Sequence, residues 1–195
     1  ISVQKQGSGP AIQGEQSSSG KVYGDLFEYK RSQRGNGLAV TGFRGSQNQT
    51  IIFQNRSGNT PVVEVADDSF CNSSTEEAIL TEGIASIGRN AFSGCDKLHQ
   101  VVLPISIEEI NDSAFENCRN LKSVSLPGAL KTIGNAAFKG TGLRTIAIPE
   151  SVFWIGNGVV ADCQLLEHVT IPSNMDKIPE HMFEGCINLK KVELH

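Results

Sequence analysis

A chain of 195 residues suits one domain, and with 38% hydrophobic but only 6% aromatic residues any core has to be built from small aliphatic side chains. A net charge of −4 argues against a surface evolved to neutralise phosphates, so nucleic acid is not an expected partner. No stretch approaches roughly 18 consecutive apolar residues, so no transmembrane segment is expected. Five cysteines are an odd number, which speaks against a fully paired disulfide framework.

In chain order, residues 1–20 are rich in Gly, Ser and Gln and poor in apolar side chains. Such a segment cannot bury enough surface to offset its ordering entropy, and it reads as a flexible tether. The chain starts at Ile1 without a basic-then-apolar leader, so a mature product whose signal segment has been removed is expected. Residues 21–65 then carry three strand-like runs, Phe27-Glu28-Tyr29, Leu38-Ala39-Val40 and Ile51-Ile52-Phe53, separated by turn signals such as Gly35-Asn36-Gly37. They read as an N-terminal β cap.

From residue 62 the chain resembles itself. Val62, Val65 and Phe70 match Ile84, Ile87 and Phe92 at a spacing of 22, but the strand slot that follows, around Ile79-Leu80, lacks both Cys and Pro in place. Residues 62–83 are therefore a degenerate copy. Regular copies occupy 84–195: Ile87-Gly88, Ala91-Phe92, Cys95, Leu98, Val101 and Leu103-Pro104, then Ile110, Ala114-Phe115, Cys118, Leu121, Val124 and Leu126-Pro127, and so on to Leu194. Prolines at 104, 127, 149 and 172 give steps of 23, 22 and 23.

Leu-x-x-Val-x-Leu is a short strand whose alternate residues point inward, and Pro, which has no N–H for a ladder, ends it. The Ala-Phe segment is expected to return as a short helical or 3₁₀ turn, with Phe plugging the interior. A single coil cannot bury its apolar side, but stacked coils bury a continuous one. The prediction is an α/β solenoid, an array of 22–23-residue coils over residues 62–195 behind the β cap.

The string Ile-Gly-x-x-Ala-Phe-x-x-Cys-x-x-Leu-x-x-Val-x-Leu-Pro resembles the BspA-type leucine-rich repeat. The stretch Phe27-Glu28-Tyr29 to Pro61-Val62-Val63 resembles the segment that opens such arrays. The resemblance covers about residues 26–195. It implies a secreted or cell-surface protein, of a largely bacterial family in which some members adhere to host or matrix proteins. This sequence departs from the pattern at Val159-Val160, Thr141 and His195, where Ala-Phe, Cys and Pro are expected.

Cys95, Cys118, Cys163 and Cys186 fill one slot of successive coils, and Thr141 fits the same slot, so a ladder of small buried side chains is expected. Whether 95–118 or 163–186 are oxidised stays open. No Cys-x-x-Cys or neighbouring His provides metal-ligand spacing, and no cofactor is expected. His99, His168, His181 and His195 bear no relation to a nucleophile, so catalysis is not expected.

Two surfaces are candidates for a partner. Outward positions of the strand slots include the column His99, Lys122, Arg144, Glu167 and Lys190, a mildly basic stripe that also reads as a merely solvated face. After each Pro, a second outward pair is polar or small in every coil but one, where it is Phe153-Trp154, with the chain's single Trp. Exposed aromatics anchor interfaces, but one of these rings could also fold back over the void left at Val160. The expected role is an extracellular, adhesin-like module, monomeric, that binds a host or matrix protein. A spacer that stacks through its C-terminal edge is the alternative, and glycan binding at Phe153-Trp154 is a third reading.

Overall fold

The computed structural model describes residues 21–22, 26–44 and 50–195; the expected tether at 1–20 lies outside them. In chain order the strands are β1 (Lys21–Val22), β2 (Phe27–Arg31), β3 (Leu38–Phe43), β4 (Thr50–Ile52), β5 (Arg56–Ser57), β6 (Thr60–Val65), β7 (Glu77–Ile79) and β8 (Ser86–Ile87). They continue as β9 (Gln100–Val102), β10 (Glu109–Ile110), β11 (Thr132–Ile133), β12 (Thr145–Ala147), β13 (Trp154–Ile155), β14 (His168–Ile171) and β15 (Lys191–Leu194). The chain winds through about seven turns of a β-solenoid.

One long sheet runs β13-β11-β10-β8-β6-β3-β2, with β5 paired to β6. Opposite it the Leu-x-x-Val-x-Leu slots form two shorter sheets, β1-β4-β7-β9 and β12-β14-β15. Pairing between coils is parallel, and among the described residues only the hairpins β2-β3 and β5-β6 are antiparallel. The slot around Ile79, irregular in sequence, forms β7 in full register, with Ala78 between Ile51 and Val101. Residues 50–65 thus share the sheets of the coils and form no separate layer.

The two slot sheets are separated at residues 121–126, which form no strand. The next coil is a residue short. There Thr141-Gly142-Leu143 replaces the Cys-x-x-Leu spacing, and the backbone is drawn so close that a Cβ on Gly142 would lie 2.2 Å from the Arg119 carbonyl oxygen. A single inter-coil bond, Arg144 N–H to Lys122 O at 3.3 Å, remains at this junction.

The third side corrects an expectation: among the described residues it contains no helix or 3₁₀ segment, only consecutive turns. Within each turn, bonds such as Cys95 N–H to Phe92 O (3.2 Å) span three residues. A left-handed residue opens each turn, including Asn90, Ser113 and Ala136, and another closes it, including Asn117 and Asp162. These interrupt any helix after one turn and aim alternate amides at the next coil, as Phe92 N–H to Ala114 O and Gly94 N–H to Glu116 O show.

Inside, Phe70, Phe92, Phe115 and Phe138 stack face to face at 5.3–5.4 Å, and Phe53 meets Phe70 edge-on. Val159 and Val160 are fully buried where the stack ends. The cysteine slot forms a ladder in which each thiol donates to a carbonyl one coil back: Cys95 to Phe70, Cys118 to Phe92, Cys163 to Phe138 and Cys186 to Val160, at 3.0–3.1 Å. Ser73 is the ladder's first member, touching Cys95 at 3.3 Å as Thr141 touches Cys163 at 3.2 Å. All five cysteines are free thiols.

Candidate interaction surfaces

The sequence-predicted candidates fall on two different sides. His99, Lys122, Arg144 and Lys190 project from the slot side, whereas Phe153 and Trp154 belong to the long sheet. No single site gathers all six.

On the slot side most of the basic column is neutralised. Glu167 accepts from Lys190 Nζ at 2.5 Å and from Arg144 at 3.3 Å. These partners hold its carboxyl below the usual carboxylate range, the Lys190 hydrogen bond contributing most. His99 faces Glu77 at 3.4 Å. Among the described residues, Lys122 is the one of these four side chains without a carboxylate partner. The stripe is therefore an ordered ion-pair ladder more than a positive patch, and exposed pairs of this kind add little stability each.

The long sheet presents a second column, Glu64, Ser86, Glu109, Thr132 and Trp154, one residue per strand. Arg34, in the β2-β3 connection, reaches across it to Glu64 at 3.5 Å and Glu109 at 2.5 Å. The hairpin and the sheet border a polar groove of 590 Å³, lined by Ser86, Gly88, Gly134 and Trp154 among others. Nothing in the sequence marked Arg34, because its carboxylate partners lie in distant coils.

Trp154 also borders a second cavity of 690 Å³, between β13 and residues 174–180. Neither aromatic folds back to fill the space beside Val160: Phe153 is 73% exposed and Trp154 47% exposed. Ile178 is 53% exposed, although its counterparts Ile87, Ile110 and Ile133 are buried. Three neighbouring apolar side chains thus face solvent around one cleft.

Among the described residues no group of three or more His, Cys, Asp or Glu could hold a metal. Burial pushes the Cys118 thiol well above its ordinary value and Cys186, which is only partly buried, up to about 11. Among the described residues no helix is long and apolar enough to cross a membrane.

A stacked array of parallel coils that displays its side chains on flat sheet faces defines a repeat solenoid. A family model described as the BspA type Leucine rich repeat region matches residues 63–190 in six copies, and the chain belongs to that family. Among solved structures, the leucine-rich repeat protein TpLRR of T. pallidum is 31% identical over 89% of this chain and 81% of its own, with a TM-score of 0.83. A leucine-rich repeat protein of Bacteroides ovatus is also 31% identical, with a TM-score of 0.79, over 86% of this chain. The present chain spans 45% of that protein's length. The pneumococcal vaccine antigen PcpA shares the fold at 20% identity, with a TM-score of 0.62 over 92% of this chain and 51% of its own. No curated protein matches the chain.

Proposed function

We propose that this protein is an extracellular or cell-surface interaction module that binds a macromolecular partner, a host or matrix protein, through the solenoid surface. The observation that carries this reading is the pair Phe153 and Trp154, 73% and 47% exposed beside Ile178. Large aromatics held in solvent have a hydration cost that a partner removes, and clustered aromatic anchors are typical of interface hot spots. Membership of a repeat family built to display side chains supports the same role. The cation column is the weaker candidate because Glu167 already engages two of its members.

The test is surface-plasmon binding to a panel of matrix, plasma and epithelial glycoproteins. Beside the native protein run a Phe153→Ser/Trp154→Ser variant and a Lys122→Glu/Arg144→Glu variant. The expected result is saturable binding that falls at least about tenfold in the aromatic variant and persists in the charge variant. Absence of binding across the panel with both variants folded would overturn the reading.

A second reading, a structural unit that stacks on another chain, draws on β15. That strand pairs with β14 in parallel register and presents its other edge. A mass that rises with protein concentration in sedimentation, with no panel binding, would favour it.

A further inference from the structure

The long sheet stops at β13 for a chemical reason. At one position of every coil a backbone N–H donates to the strand before it: Gly88 to Val65, Asn111 to Ile87, Gly134 to Ile110 and Gly156 to Ile133, at 2.7–3.0 Å. The next residue in that column is Pro179, which has no N–H. The Ile155 carbonyl is therefore left without its rung. The rung two residues earlier is missing as well. Glu108 N–H bonds Ala85 O, Lys131 bonds Glu108 O and Phe153 bonds Lys131 O, at 2.8–3.0 Å, but among the described residues no amide bonds Phe153 O.

Residues 174–178 instead form no strand, and the coil bonds the array again at Glu180, whose carbonyl accepts from Gly158 at 2.8 Å. What remains is a slot of 690 Å³ beside an open strand edge, flanked by Phe153, Trp154 and Ile178. Exposed strand edges with unpaired backbone groups are templates for another strand, and peptide recognition by strand addition uses them.

We infer that this slot receives an extended peptide segment of a protein partner, which adds a parallel strand to β13 and lays an apolar side chain against Trp154 and Ile178. The occupant follows from what the edge lacks. Two carbonyls two residues apart call for two amides at strand spacing, continuing a ladder that every earlier coil completes from its own backbone. A single small ion carries no such pair of donors, and a peptide backbone repeats them at the spacing of alternate strand residues. The inference rests on the partner-binding role proposed above and specifies how one partner engages.

The probe is a synthetic peptide of residues 128–136, terminally blocked, because in the array this segment docks on the preceding strand with its Lys131 and Gly134 amides. Trp154 is the chain's only Trp and the peptide has none, so intrinsic fluorescence reads this residue alone, and N-methylated peptides separate the slot from the groove that Trp154 also lines. Saturable peptide binding with a blue-shifted, quencher-protected emission is expected. Replacing the peptide's Gly134 by N-methylglycine removes the donor for Ile155 O and should weaken binding about tenfold. N-methylation at its Ile133, whose carbonyl in the array faces the following coil, should leave binding nearly intact.

In the protein, Pro179→Gly places in this column the residue found at 88, 134 and 156. It lets the chain's own coil close the ladder, so peptide binding should fall and Trp154 emission should shift to the blue without peptide. No saturable shift with the native protein, or equal binding of the Gly134-methylated peptide, overturns the inference. So does a concentration-dependent dimer that Pro179→Gly abolishes, since it would place a second copy of this chain in the slot. If the peptide fails while panel binding is still lost in the Phe153→Ser/Trp154→Ser variant, the partner-binding role stands and only the strand mode is removed. If both fail, the role falls too.

Discussion

Phe92 lies flat on Phe115, ring centroids 5.3 Å apart and planes 1° from parallel, and Phe138 continues the stack at 5.4 Å. Each ring is fully buried, and each belongs to a different coil. The stack therefore joins neighbouring coils, and a loss in the middle is felt on both sides. Phe115→Ala should destabilise the protein by about 3–5 kcal/mol, because the ring's transfer energy is lost and a cavity remains. Urea unfolding followed by circular dichroism measures this. A cost under about 1 kcal/mol would mean that the neighbours close the void.

Two glycines separate strain from crowding. Gly140 has φ +66°, and a Cβ there would lie 2.6 Å from Asn117 Oδ1, the end of a side chain. Gly134 has no left-handed φ, but its Cβ would lie 2.3 Å from the Asp112 backbone nitrogen. Gly140→Ala should cost about 1–2 kcal/mol from the left-handed backbone alone, plus a clash that Asn117→Ala relieves. Gly134→Ala should cost more, and no side-chain substitution should rescue it, because main chain must move. Urea midpoints of the single and double variants test both statements.

The period made much of this legible. Once Leu98, Leu121, Leu143 and Leu166 are superposed, the inward positions of the slots and the Phe interior follow, and all four leucines are fully buried. The turn side was less legible because its geometry depends on left-handed residues, and Ser113, Ala136 and His181 give no compositional hint of that backbone. Ser73 is readable as the ladder's first member only when polar and thiol side chains are treated as one size class. Pro179 was visible all along as a residue without a donor in a donor's column. Its meaning depended on knowing that Gly88, Gly134 and Gly156 bond strands in the same sheet. The ion pairs of Arg34 with Glu64 and Glu109 have no sequence signal, since long-range partners on a sheet face obey no local spacing.

The thiol ladder predicts an alkaline limit. Burial raises Cys95, Cys118 and Cys163 above the ordinary thiol value of 9.0 and takes Cys186 to about 11. A group whose folded pKa is raised binds its proton more tightly in the native state. Its contribution is thus complete below the unfolded value and is lost as pH rises through the folded one. Stability should fall from about pH 9 towards 11. Cys118→Ser keeps a donor of the kind Ser73 and Thr141 supply in this slot, and it should cost little at neutral pH while reducing the alkaline loss. Thermal melts of both proteins across that range decide it, and parallel slopes would show that the thiols are not responsible.

Glu167 offers a test of the slot-side ladder without any ligand. Its carboxylate is depressed chiefly by the Lys190 hydrogen bond and charge, with Arg144 contributing less. A depressed carboxylate favours folding above its unfolded pKa, and this contribution is lost as pH falls through the folded value. Lys190→Met should move the Glu167 titration upward, and Arg144→Met should move it by a smaller amount; both are readable by carbon-detected NMR of the carboxyl. Because the pair is solvent-exposed, raising the salt concentration to about 1 M should shift the native titration in the same direction. A Glu167 titration indifferent to Lys190 would mean that the two side chains do not hold each other in solution, and the column would then be free to meet an anionic partner.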